Sequence, residues 1–136
     1  MAKDIDINMI SKKAHLTNKI VYVFLHKNDC TYCESMISFT LDDDQVHSHI
    51  EKNFLFVNIN IDDAHTIKYK DFLGNAKNFA KHIDYNFYPS SVFIDGDNKI
   101  IYGQPGYQDE NDFIITLNYV SSHAYKTVDI EDYKIK

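Results

Sequence analysis

The chain has no arginine. All 14 of its basic residues are lysine, against 20 Asp and Glu, for a net charge of -6. This balance disfavours nucleic-acid binding, which draws on a basic face and on guanidinium forks for phosphate and guanine. Glycine (4) and proline (2) are scarce, and there is no repeat, low-complexity tract or Pro/Gly/Ser-rich linker. No apolar run approaches the ~20 residues of a membrane-spanning helix. The opening Met-Ala-Lys-Asp-Ile-Asp lacks the apolar stretch of a signal peptide, so a cytosolic protein or a mature form without its leader is expected. There is no Gly-rich phosphate loop and no G-x-S-x-G elbow. The carboxylate runs Asp42–Asp44 and Asp62–Asp63 lack the central glycine of a calcium loop and read as solvated caps. Only two cysteines occur, Cys30 and Cys33, both in one C-x-x-C.

What is present suits a single domain with its own core: 136 residues, 44% hydrophobic and 14% aromatic. Helical spacing over 4–16 predicts a first helix. The run Lys19–His26 (KIVYVFLH) reads as a buried central strand, being β-branched and aromatic with almost no polar break. A helix follows over 31–41, then a shorter one over 45–52. Phe54–Ile61 (FLFVNINI) reads as a second strand, whereas 62–72 has no clear period. A helix is expected over 75–82, a strand over 89–95, a hairpin turn at Gly96-Asp97-Asn98 and a strand over 99–103. Asp109 can cap a last helix running to about Tyr125, and 127–136 reads as a polar tail with Ile130 and Tyr133 as anchors. The order implies a right-handed parallel crossover extended by an antiparallel hairpin. The expected class is α/β, with a central mixed sheet of about four strands, helices on both faces and an extra N-terminal helix.

Cys30-Thr31-Tyr32-Cys33 follows the buried strand and opens a helix. A first cysteine at a helix start meets unpaired N–H groups and the positive end of the macrodipole, both of which favour a thiolate. The thiolate is the nucleophile. A second cysteine one turn in can attack the resulting mixed disulfide and release the product. Cys30 is therefore read as the nucleophile and Cys33 as the resolving thiol. Half of a zinc site is the competing use of the motif, but a closed site needs two further Cys or His ligands. No other cysteine exists, and His47 and His49 are expected on a solvated helix.

Val21 to Cys33 resembles the strand, loop and active-site helix of the thioredoxin superfamily, and Asn86-Phe87-Tyr88-Pro89-Ser90-Ser91-Val92-Phe93-Ile94-Asp95 resembles its cis-proline loop and following strand. The likeness spans about 18–125, leaving 126–136 as a tail of one thioredoxin-like domain, 1–136. Gly106-Tyr107-Gln108, followed by a helix containing Phe113, is similar to bacterial periplasmic thioredoxin-like proteins of the SoxW type. The resemblance implies a cis Pro89 beside Cys30, with the backbone of Tyr88 offered to an extended substrate. It also implies reduction of protein disulfides, a thiol electron donor in the membrane, no bound cofactor beyond the Cys30–Cys33 disulfide, and a periplasmic location with the cytoplasm as alternative. An exposed Tyr32 beside Tyr88 and Pro89 would make an apolar patch for protein substrates. A monomer is expected.

Two positions depart from the family. Phe24 stands where thioredoxins carry a buried acid that assists proton transfer at the second cysteine. Asp29 stands where they carry Trp. Glu34 or a water are the sequence's alternatives to the missing acid. His26 is the only histidine near the site, and packing is the ordinary use of such a residue. Disulfide oxidation or isomerisation, and a non-catalytic binding module on the same fold, remain the competing functions.

Overall fold

The computed structural model describes residues 4–135. Its main sheet has the order β3-β2-β6-β7, formed by β2 (Ile20–His26), β3 (Phe54–Asn60), β6 (Ser90–Ile94) and β7 (Ile100–Pro105). β2 pairs parallel with β3 and antiparallel with β6, and β7 closes the hairpin on β6. This is the expected mixed four-stranded sheet.

The central position of β2 accounts for its unbroken apolar run, because both of its faces are covered. Val21, Val23 and Leu25 pack with Ile7 and Ala14 of α1 (Ile7–Thr17) and with Phe79 and Ala80 of α4 (Ala76–His82). Ile20, Tyr22 and Phe24 point the other way. They meet Val46 and Ile50 of α3 (Asp44–Asn53) and Phe113, Leu117 and Val120 of α5 (Glu110–Ser121). Tyr22 is fully buried and shares a hydrogen bond with Ser91 at 2.8 Å. Burial holds its phenol pKa far above the usual value.

Four differences from expectation have physical causes. The first helix starts at Ile7, not residue 4, because Asp4–Asp6 are extended as β1 and Asp6 caps the helix by accepting from the Met9 N–H. The core thus takes in Ile7, upstream of the 18–125 span. The unassigned stretch after β3 holds β4 (Thr66–Tyr69) and β5 (Phe72–Asn75), which form a second sheet in the order β1-β4-β5. These strands are too short to show a period, yet Ile67 and Tyr69 reach the core. The helix expected over 31–41 is α-helical only over α2 (Thr31–Ser35). It widens into a π turn over Met36–Thr40, where the Leu41 N–H reaches the Met36 carbonyl at 2.8 Å. The last helix stops at Ser121 instead of Tyr125. The chain then turns through His123 at φ 64°, and the expected tail folds as α6 (Ile130–Ile135). Ile130 and Tyr133 do serve as anchors: Tyr133 lies 5.2 Å from the Tyr119 ring, and the Tyr119 hydroxyl donates to the Val128 carbonyl at 2.6 Å.

Register sets the place of the site. Leu25 lies opposite Ser90 and Phe24 opposite Ser91. Continued by one residue, this pairing brings Pro89 to the level of His26, so the loop carrying Cys30 and the proline loop emerge at the same end of the sheet.

Candidate active site

The loop leaving β2 is held by hydrogen bonds from the end of β3. The Asn28 N–H donates to Asp62 Oδ2 at 2.9 Å, Asn60 Nδ2 donates to Asn28 Oδ1 at 2.9 Å, and the Asp62 N–H donates to Asn60 Oδ1 at 2.9 Å. Asp62, expected as a solvated cap, is therefore a brace for the cysteine loop. The Ile61 N–H adds a bond to the His26 carbonyl at 2.8 Å. Asp29 turns the chain at φ 53°, in the left-handed region that Asp tolerates better than most residues.

Cys30 is the N-cap of α2. Its backbone is extended, and its Sγ accepts from the Cys33 N–H at 3.2 Å. The two cysteines form a disulfide with a Cα–Cα distance of 5.2 Å. Cys30 is half-buried, whereas Cys33 is 1% exposed. Only the first sulfur can meet a second protein. When reduced, it lies where a backbone donor and the start of a helix stabilise a thiolate. The π turn that follows is anchored from outside the helix. Thr40 Oγ1 donates to the Gln108 carbonyl at 2.6 Å, and Thr116 Oγ1 donates to Gln108 Oε1 at 2.9 Å. α2 is thereby tied to the segment that leads into α5.

The Tyr88–Pro89 peptide bond is cis, and Pro89 is buried. The Pro89 carbonyl accepts from the Gly106 N–H at 2.7 Å. Gly106 sits at φ 93°, a conformation in which a side chain is strained. The Ser90 hydroxyl donates to the Phe87 carbonyl.

The apolar patch differs from expectation in its members. Tyr32 is 66% exposed, but its ring neighbour is Tyr107, at 6.0 Å. Tyr88 packs instead against the core on the α1 side of the sheet. That burial, with the nearby Asp62 charge, raises its phenol pKa. The Tyr88 ring is thus partly buried, away from the role expected of it beside Tyr32. Phe87 is exposed and joins Tyr32 and Tyr107 as an aromatic residue on these loops. Nothing in the sequence marks Phe87 or Tyr107 as surface residues, since an aromatic beside a strand reads equally well as core.

Desolvation acts on the protonation of two histidines. His26 is half-buried, stacks on Phe24 at 5.1 Å and lies 2.7 Å from Asn58 through Nε2. Desolvation lowers its pKa below 6.5, against smaller upward pulls from Asn58 and Asp63. His49, expected in solvent, is partly buried against Ser121 at 3.0 Å, and desolvation lowers its pKa as well. His47 is exposed and pairs with Glu51 at 3.0 Å. For His26 and His49 the unfolded chain binds protons more readily than the folded protein, so stability rises with pH across this range. It is expected to fall as pH drops below 6.5 and to go on falling until the folded-state pKa values are passed. Urea midpoints measured between neutral and mildly acidic pH test this. The double substitution His26→Gln, His49→Gln should flatten the slope relative to the wild type, and an unchanged slope would remove both residues from the account.

Solved structures share the fold. A thioredoxin-fold protein from Helicobacter pylori aligns at 23% identity over 87% of this chain and 79% of its own, with a TM-score of 0.73. A thioredoxin from Thermus thermophilus aligns at 19% identity over 88% and 86%, with a TM-score of 0.67. The C-terminal domain of Neisseria meningitidis DsbD, in its oxidised form, aligns at 15% identity over 79% and 87%, with a TM-score of 0.57. No curated protein is a significant sequence match. The profile of the thioredoxin-like domain matches residues 7–121. That span holds the paired cysteines, the cis-proline loop and every strand of the main sheet, and the chain belongs to the thioredoxin-like domain family.

Proposed function

We propose that the protein is a thiol–disulfide oxidoreductase that reduces disulfides of protein substrates. The observation that carries this is the inequality of the two sulfurs: Cys30 is reachable at the helix start, and Cys33 is buried behind it within bonding distance. The Cys30 thiolate attacks a substrate disulfide, and one substrate sulfur leaves with its electron pair. Cys33 then attacks Cys30 Sγ, releasing the second substrate sulfur and closing the Cys30–Cys33 disulfide. A thiol donor restores the dithiol, and no bound cofactor is needed. Tyr32 supplies apolar contact for the substrate, and the backbone of Tyr88, ahead of the cis Pro89, supplies hydrogen bonds to an extended segment of it. The likeness to SoxW-type proteins favours the periplasm and a membrane-borne donor. Among the described residues no helix is long and apolar enough to cross a membrane.

Reduction of insulin disulfides by dithiothreitol, followed by turbidity, tests the activity. The wild type should accelerate it, and Cys30→Ser should return it to the uncatalysed rate. A wild type that gives no acceleration would leave a non-catalytic binding module as the better reading. The direction of electron flow is read from the reduction potential. A value near ~-270 mV marks a reductant and one near ~-120 mV an oxidant.

A further inference from the structure

The exchange cycle leaves one proton without a stated destination. Cys33 resolves the mixed disulfide only as a thiolate, yet its side chain is buried, and burial favours the protonated thiol. Phe24, fully buried two residues before His26 on β2, has no group that can take that proton.

Cys33 borders a cavity of about 500 Å³ that opens between the cysteine loop, α2 and the end of β3. Its titratable lining consists of His26, Lys27, Asp29 and Glu34, with Cys33 itself. Lys27, Asp29 and Glu34 are exposed, and His26 alone among these four is half-buried. Its ring is held on two sides, by the stack on Phe24 and by Asn58. Because Asn58 Oδ1 can only accept, Nε2 carries the ring proton and Nδ1 keeps its lone pair. Phe24, which removes the expected acid, is thus also the platform on which a base rests.

We propose that His26 is the proton relay for Cys33: its imidazole takes the thiol proton, through water in the shared cavity, as Cys33 attacks Cys30 Sγ. The inference rests on the exchange reading above. In this step the Cys33 S–H bond breaks and the Cys33–Cys30 bond forms. The Cys30–substrate bond breaks, and the departing substrate sulfur takes the electron pair and then the proton from His26. No external oxidant or reductant enters the step. Desolvation keeps the ring neutral at pH 7 and so able to accept. The charges around it come from Asp63 after β3, Lys27 and Asp29 on the loop, and Glu34 on α2.

Stopped-flow reaction of the reduced protein with dithiobisnitrobenzoate separates the two chemical steps. Attack by Cys30 releases one thionitrobenzoate, and attack by Cys33 releases the second. Thionitrobenzoate leaves without needing protonation, so the second phase reports deprotonation of Cys33. His26→Gln should leave the first phase unchanged and slow the second by about 100-fold, the lower end of a general-base contribution. The wild-type second phase should decline as pH falls through the His26 pKa, and His26→Gln should lose that inflection. Asn58→Ala alters an exposed residue and removes a bond that raises the ring's pKa, so it should move the inflection to lower pH. A His26→Gln second phase indistinguishable from the wild type, or an inflection that stays in place in Asn58→Ala, overturns the relay while exchange stands. A wild type with no first phase overturns both.

Discussion

Cys33→Ser is expected to accumulate as a covalent adduct with its substrates, visible on non-reducing gels and dispersed by dithiothreitol. The reasoning is geometric. Cys30 keeps its place as the N-cap of α2 and its access to other proteins, so the first attack proceeds. The residue with a Cα 5.2 Å away then carries a hydroxyl, which does not displace sulfur from a disulfide. The mixed disulfide persists until an outside thiol reaches it. Cys30→Ser should trap nothing, because Cys33 is 1% exposed and cannot meet a protein disulfide. This asymmetry is the sharpest test of the assigned roles. Equal trapping by the two variants would show that the sulfurs are equally reachable and would reverse or dissolve the assignment. Mass spectrometry of the adducts would identify the substrates, and the compartment from which they come would decide between the periplasm and the cytoplasm.

Phe93→Ala should be the most destabilising single substitution on the α5 side of the sheet, at about 3–5 kcal/mol. Phe93 is fully buried in β6, next to its last residue. Its ring stacks on Tyr22 at 4.9 Å and meets Phe54 at 5.6 Å and Tyr102 at 6.3 Å. Truncation removes a ring from the middle of an aromatic layer whose other members are fixed by the sheet, so the hole cannot close. Against a typical total of about 5–15 kcal/mol, such a loss should lower the melting temperature by about 10 °C or more. β6 also carries Pro89 at its entrance, so exchange activity should fall at temperatures where the wild type is still folded. Leu16→Ala, on an exposed side chain of α1, is the control and should shift the midpoint little. A cost below ~1 kcal/mol for Phe93→Ala would show that the layer repacks.

Much of the site was legible in the chain. The β2 run, the C-x-x-C at the strand-to-helix junction and the caps at Asp43 and Asp109 are local patterns, and they hold because burial on two faces, unpaired N–H groups and side-chain caps act over a few neighbouring residues. The short strands of the second sheet were not legible, since four residues cannot display a period. Nor was the fate of Tyr88, because an aromatic before a proline can face either water or core.

Local patterning is enough to set the order of elements around the central strand and to put a helix-start cysteine one turn from a second. The surroundings of that pair depend on how the chain folds around it. Asn60 and Asp62 brace Asn28, Tyr107 meets Tyr32, and His26 shares a cavity with Cys33. The first two of these join segments more than thirty positions apart, while the last depends on which way a strand-end side chain faces. Short polar residues and lone aromatics carry no local signal of their partners; the β2–β3 and β2–β6 registers supply it by placing the ends of those strands side by side.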